Sequence, residues 1–499
     1  MPTGVTSTTA TPPAPRGKVS LGTKLAFSSG ALEEAMIGAA GIATMVFYNQ
    51  VLGVDPWLCG MVFFVASVVD AVSDPLVGSL TDNFRSRWGR RHPFMLLAVL
   101  PLALAFYLMY APPADLSELQ YFWWFLGTMV LLRLGKTFYA IPHDALGAEL
   151  TDDYHERTSV FGYNSVAGLA ASAALGVFVL VAIFPSTGEH ENGLLNPDQY
   201  PVLALFGAAW IATTLLICVI GTRNQIPNLH RVDREKVRVA AYLRDLLVLI
   251  KSRSYISVCA AWLVMATSGG ILAVVATYTF IYCYELSTET LTLQRFVAIP
   301  GILVAIPLAS YLTRVLDKKM TVVYTCIVCA TFVGLPHFLR MVGWFPDNDS
   351  VWLVPMLFGS LLIGLLALPV VPIAIDSQLV DVADEFEYKT GRRAEGVVFS
   401  IRSFAIKATV GIGGLVGGFG LEIIDFPEDA SAETLTPEVL NGLLFMTGPL
   451  YWIIVFSGML FMALYNLNRA RHDEIMAVLE VRRAARADPR QVAAGLEGG

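Results

Sequence analysis

The chain has 499 residues, of which 55% are hydrophobic and only 15% charged, with a mean hydropathy of +0.60. Soluble domains carry about 25% charged residues, so this composition excludes an ordinary soluble domain and points to a polytopic membrane protein. The formal net charge of -7 says little by itself, because the distribution of Lys and Arg between the two membrane faces carries the topological information.

Residues 1–20 are rich in Pro, Thr and Ser, lack an apolar stretch, and read as a short disordered cytoplasmic tail rather than a cleavable signal. Beyond them, apolar runs of about 20 residues or more predict twelve helical spans, at 24–52, 57–82, 94–112, 121–147, 159–184, 200–222, 256–285, 293–313, 320–341, 351–378, 396–420 and 441–467. These runs lack the roughly 10-residue alternating segments of a membrane β-barrel, so the expected fold is an all-α bundle of twelve transmembrane helices. Cys59, Cys218, Cys259, Cys283, Cys326 and Cys329 all fall in or beside spans and read as packing residues, neither a disulfide framework nor a metal site.

The most informative span is 57-WLCGMVFFVASVVDAVSDPLVGSL-80, which holds Asp70 and Asp74. Four residues apart, the two carboxylates share one face of a helix. A charge at the bilayer centre costs a few kcal/mol or more, so such groups face a bundle interior or a wet cavity and mark an ion or substrate path. Span 4 adds Arg133 and Lys136, span 11 adds Lys407, and span 1 adds Glu33 and Glu34. Asp144 lies near the end of span 4.

Basic residues cluster in alternate connections, after spans 2, 6, 8 and 10, whereas the intervening loops contain none. By the positive-inside rule both termini are expected on the cytoplasmic side. Arg295 and Arg340 are exceptions, read as lying at the outer ends of spans 8 and 9. The long basic connection 223–255 separates six spans in 21–222 from six in 256–467, and the mixed-charge region 468–499 follows, read as a solvated cytoplasmic surface helix with a disordered end. The halves echo each other. The acidic 145-ALGAELTDDYHERTSVFGY-163 corresponds to 378-QLVDVADEFEYKTGRRAEGVVF-399, and 78-GSLTDNFRSRWGRRH-92 to 309-ASYLTRVLDKKM-320. Two pseudo-symmetric six-helix bundles of this kind place a substrate site between them near the midplane, with alternating access by rocking.

The stretch 78-GSLTDNFRSRWGRRHP-93 resembles the signature of the major facilitator superfamily, matched by Gly78, Asp82, Gly89, Arg90 and Arg91. The expected role of these five is a conformational latch, with the glycines permitting close helix approach and the acid pairing with the arginines. More narrowly, 69-VDAVSDPLVG-78, 141-IPHDALGAEL-150 and 386-FEYKTGRRAEGVVFSIRSFAIK-407 resemble the glycoside–pentoside–hexuronide:cation symporters, the family of melibiose permease, over essentially all twelve spans. That resemblance implies cation binding by Asp70 and Asp74 with the Thr137 hydroxyl, and a coupling role for Lys407. It also implies a sugar-site role for Glu33 and Glu34, and Arg133, Lys136, Asp144, Asn164 and Arg402 are further candidates for substrate binding or coupling. The chain departs from the family at Ala140, where an acid is expected, at Asp144 in place of an aromatic, and at Asn164 or Ser165 in place of a sugar-contacting arginine. With one acid lost and Arg133 and Lys136 gained, H+ and Na+ both stand as the coupling ion.

Candidate sugar-wall residues are Tyr48, Asn49, Tyr139, Tyr163, Asn164, Trp262, Tyr278, Arg402 and Phe404, which offer aromatic faces and polar groups. No phosphate-binding loop, nucleophile elbow or zinc-spaced His/Cys set occurs. The expected function is therefore not enzymatic. It is cation-coupled symport of a sugar or glycoside by a monomer in the plasma membrane, the inner membrane if bacterial, with the bilayer and a small molecule as partners and no nucleic acid or cofactor beyond the ion. Two rivals remain: a symporter of lysolipid or another anionic amphiphile on the same fold, and a membrane sensor that does not transport.

Overall fold

The computed structural model describes residues 18–84, 86–151, 153–188, 190–228, 239–392, 395–428, 430 and 435–487. Among them the protein is helical throughout, and ten helices are long and apolar enough to cross a membrane. Spans 1, 2 and 3 are Leu21–Val51, Pro56–Asn83 and His92–Tyr110, and spans 5 and 6 lie within His155–Ile183 and Pro197–Pro227. Spans 7 to 10 are Arg253–Cys283, Thr288–Leu316, Lys318–Met341 and Leu353–Thr390, and span 12 is Pro437–Ala463. Glu118–Glu149 and Glu395–Ile423 run among them as spans 4 and 11. Twelve helices in two bundles form the major facilitator architecture expected from the sequence.

Local chemistry sets several boundaries. Ser117 and Gln120 close a capping box at the start of span 4, and the Ser20 hydroxyl accepts from Thr23 N at the start of span 1, each satisfying a backbone donor left over at a helix end. Spans 1, 5 and 7 all end in a wide π turn, at Phe47–Val51, Val179–Ile183 and Thr279–Cys283. Span 10 is broken at Leu368–Pro369 and span 12 at Gly448. Span 10 also runs on to Thr390, well beyond the expected end at 378. Its acidic extension persists because its carboxylates are paired: Asp381 with Lys318 at 2.6 Å, Glu385 with Lys389 at 2.6 Å and Glu387 with Arg483 at 2.5 Å.

The termini-bearing face carries a charge network within each bundle. Arg91 reaches Asp82 at 2.7 Å and donates to the Thr81 hydroxyl at 3.0 Å. The acid that ties the cluster together is Glu149 at the end of span 4, 2.6 Å from Arg90 and 3.1 Å from Arg91. The second half repeats the device, with Lys318 at the start of span 9 gripping Asp381 of span 10, so the acidic echo seen in the sequence is a structural one. The two signature glycines differ from expectation. A Cβ on Gly78 would meet Ile141 only at an ordinary 3.9 Å, whereas Gly89 sits at φ +77°, a turn geometry that favours glycine. Its role is the turn, not close helix packing.

The tail helix Arg469–Ala487 is not merely a solvated face. Arg483 grips Glu387, His472 lies 3.3 Å from Asp384, and Arg482 donates to the Tyr388 carbonyl at 2.9 Å while stacking over its ring. Arg486 belongs to this helix, but its side chain lies outside the described residues, as do Arg490, positions 1–17 and positions 229–238 of the connection. The connector helix Val239–Ile250 is fastened to the second bundle by Asp245 and Arg392 at 2.7 Å.

Glu149→Gln removes the shared acid from two cations of which Arg91 keeps only 6% side-chain exposure. Loss of one partner from such a buried cluster costs about 3 kcal/mol, so the variant is expected to unfold at a clearly lower temperature in detergent. Lys389→Ala, at an exposed i,i+4 pair, is expected to leave the midpoint within error.

Candidate ion and substrate site

Asp70 and Asp74 lie near the middle of span 2 and point at other helices rather than at lipid. Asp70 Oδ2 accepts from Arg133 Nη1 of span 4 at 3.2 Å. One turn on, Asp74 accepts from the Thr137 hydroxyl at 3.1 Å, and Ser73 and Thr137 are within 3.3 Å of each other. Asp74 also forms a direct ion pair with Lys407 of span 11, and both side chains keep partial exposure, 29% and 33%. The spacing of acids on span 2 and of Arg133 and Thr137 on span 4 matches turn for turn, which is why two parallel ladders of charge can pair. Two carboxylates thus face two cations at mid-membrane, and one of the contacts joins the first bundle to the second.

Beyond that pair, toward the face opposite the termini, the bundles are sealed. Tyr278 donates to Asn49 Oδ1 at 3.0 Å, Tyr282 to Gln50 Oε1 at 2.8 Å, and Gln50 in turn to the Pro427 carbonyl at 2.8 Å. Asn192 and Gly193 hydrogen-bond to Leu286 and Thr288, and Ser186 to Glu289. Below these, span 2 packs on a glycine-rich stretch of span 11 at close range. A Cβ on Gly60 would stand 2.7 Å from the Gly414 carbonyl, and one on Gly418 2.3 Å from that of Pro56, an approach that only small residues permit. Between described residues of the two bundles, no hydrogen bond or ion pair lies on the termini side of Asp74 and Lys407.

A cavity of about 680 Å³ lies between the bundles, walled by spans 1, 2, 7, 8, 10 and 11, with Phe63, Trp262, Gln294 and Arg295 among its lining. Thr409 of its lining is two residues from Lys407, about 3 Å along span 11, so the cavity lies close to the charge cluster. A second chamber of about 530 Å³ inside the second bundle shares Trp262 and Gln294 and is otherwise largely apolar.

The remaining candidates separate. Glu34 pairs with Lys136, whereas Glu33 is 3% exposed and packed inside the first bundle with Oε2 unpartnered. Asp144 is largely exposed, 3.3 Å from His143. Asn164 is half-buried with Oδ1 unpartnered. Tyr48, Asn49 and Tyr278 are corrected from wall residues: Asn49 and Tyr278 belong to the seal, bonded to each other across the bundles, whereas Tyr48 ties span 1 to span 3 inside the first bundle through the Met109 carbonyl, and all three are fully buried. Tyr139 is buried, and Tyr163 lies under the Lys24 ammonium. The side chains of Arg402 and Phe404 lie outside the described residues.

Two functional candidates escaped the sequence reading. Glu149 looked like one acid among many. Arg295 was placed at the outer end of span 8 because the helix was expected from 293. It begins at Thr288, which sets Arg295 about 10 Å along it and on the cavity wall. Arg340, by contrast, is held by the loop at the far face, donating to the Pro346 carbonyl and to Asn348.

A sequence model described as MFS/sugar transport protein matches residues 26–469. A relative from Escherichia coli (strain K12), the putative glycoside/cation symporter YagG, is 27% identical over 458 residues, covering 89% of this chain and 91% of its own. The uncharacterized symporter YnaJ of Bacillus subtilis (strain 168) is 24% identical over 473 residues, covering 93% and 96%. Among solved structures, a bacterial homologue of the human lysosomal transporter Spinster, in an inward-facing and unoccupied conformation, superposes with a TM-score of 0.65 at 12% identity, covering 89% of this chain and 95% of the other; this likeness concerns the fold.

The seal contains its own reporter. Cys59 is fully buried beside Gly60, so Gly60→Leu, which cannot fit against span 11, is expected to raise the alkylation rate of Cys59 at least tenfold as the seal opens. An unchanged rate, measured site by site by mass spectrometry, would show that the glycine contact does not hold the seal.

Proposed function

The chain belongs to the MFS/sugar transport protein family, and from that premise we propose that it is a proton-coupled symporter of a sugar or glycoside working by alternating access. The observation that carries this reading is the Asp74–Lys407 ion pair, which links the bundles beside the cavity. A proton on Asp74 cancels its charge and removes the attraction to Lys407, so occupancy by the ion changes what holds the bundles together. Proton transfer needs one carboxylate that water can reach, and Asp74 keeps partial exposure.

Sodium is the poorer fit to this arrangement. It needs several oxygen ligands, and at this cluster Arg133 and Lys407 already hold the acids. Adding a full positive charge to a balanced set of two acids and two cations is disfavoured where water is scarce. A proton adds the same charge but requires no coordination shell, and it lets the released lysine turn toward the cavity. Thr137 keeps Asp74 oriented through its hydrogen bond, and Arg133 holds Asp70 as the fixed member of the pair.

By the positive-inside rule the termini-bearing face is cytoplasmic. The seal then lies on the outer side of the membrane. Cargo of the glycoside class, the type named for YagG, suits a cavity with an aromatic wall at Trp262 and polar groups at Gln294 and Arg295. An ion pair that links the two bundles and is sensitive to ion occupancy supports transport rather than sensing.

Reconstituted protein is expected to accumulate its sugar under an imposed inward proton gradient and not under a sodium gradient alone. Asp74→Asn is expected to lose concentrative uptake by more than tenfold while retaining exchange across the membrane. Full accumulation by Asp70→Asn and Asp74→Asn alike would reject the assignment, and accumulation driven by sodium at constant pH would reject the proton.

A further inference from the structure

We propose that Arg295 of span 8 and the indole N–H of Trp262 of span 7 form a subsite for a carboxylate on the cargo, so that the transported sugar is an acidic one, a uronic acid or its glycoside. The inference rests on the symport reading above and specifies its substrate class. Arg133, Lys136 and Lys407, cations within spans 4 and 11, each face an acid: Asp70, Glu34 and Asp74. Arg295 does not. Among the described residues no carboxylate lies within ion-pair distance of it, and its Nε is buried without a hydrogen-bond partner. The Trp262 Nε1, also buried, lacks a partner too, and both side chains line the cavity between the bundles.

An uncompensated cation inside a membrane protein is costly and is kept where it meets an anion. The fold makes room for this one. Span 5 has Gly176 where Arg295 crosses toward the first bundle, and a Cβ there would stand 3.1 Å from Nε. The guanidinium is thus placed between the two halves of the molecule. A guanidinium fork binds a carboxylate through two parallel hydrogen bonds, and the indole N–H is a donor with no acceptor capacity. The charge and fork of the guanidinium favour a carboxylate over a hydroxyl. The Trp262 ring offers an apolar face to the pyranose that bears the acid. Once a carboxylate docks on Arg295, the cavity holds a neutral pair, so the bundles close over the cargo without burying a lone charge.

The test compares methyl β-glucoside with methyl β-glucuronide, which differ only in the group at C6, in counterflow into proteoliposomes. The wild-type protein is expected to prefer the glucuronide at least tenfold in kcat/KM. Arg295→Gln is expected to lower that preference 10- to 100-fold, the range for a lost hydrogen bond to a charged group, Arg295→Lys to restore part of it, and Trp262→Phe to lower it several-fold. Equal or better transport of the glucoside by wild-type protein overturns the inference. So does an equal loss for both sugars in Arg295→Gln, or competition by a lysophosphatidate stronger than by the glucuronide. Equilibrium binding to solubilised protein separates this inference from the reading beneath it. Glucuronide bound without ion-driven uptake leaves the subsite standing and rejects symport, whereas ion-driven uptake of the glucoside alone does the reverse.

Discussion

One ion pair at mid-membrane, Asp74 with Lys407, joins two bundles that between described residues have no polar contact on the termini side of it. Water is scarce there, so charge must be balanced locally, and the neighbouring groups follow from that constraint. Arg133 is present because Asp70 sits one turn from Asp74, and Thr137 orients the acid that is not held by arginine. Removing any charge leaves another exposed to a poor solvent. This makes the cluster a sensitive place for a proton to act, because a single protonation changes both the local charge and the attraction between the halves.

The rest of the fold allows that event to be felt. Within each bundle, acids of spans 4 and 10 bind cations at or just before the starts of spans 3 and 9, which ties the helices of each half together. Between bundles, the far face is joined by neutral hydrogen bonds and by glycine contacts. Neutral hydrogen bonds contribute only about 1 kcal/mol each, and a smooth glycine surface has no interlocking side chains to unpack. Such a seal is strong in sum and separable in steps, as alternating access requires. The tail helix reinforces span 10 from outside the membrane through Arg483 and His472.

The fold and the ion cluster were largely legible in the sequence because charge stands out against hydrocarbon. Asp70, Asp74, Arg133 and Lys407 are conspicuous for that reason alone. Which cation meets which acid was not legible: the partner of Asp74 comes from a distant span, and adjacency in space leaves no local pattern. Tyr48, Asn49 and Tyr278 show the converse. An aromatic or amide in a span looks the same whether it lines a cavity or ties two helices, and here it ties them. Arg295 was misplaced because a polar first turn, Thr288 to Thr292, hid the true start of its helix. Span 10 outran its apolar stretch because paired acids are as compatible with helix as alanines are.

The most direct test of the account is the proton itself. In weakly buffered proteoliposomes, adding cargo outside is expected to raise external pH as protons enter with it, and Asp74→Asn is expected to abolish that rise while still binding cargo. Alkalinisation of wild-type size in Asp74→Asn, or sugar entry with no pH change and a strict need for sodium, would contradict the claim that protonation of Asp74 releases the bundles.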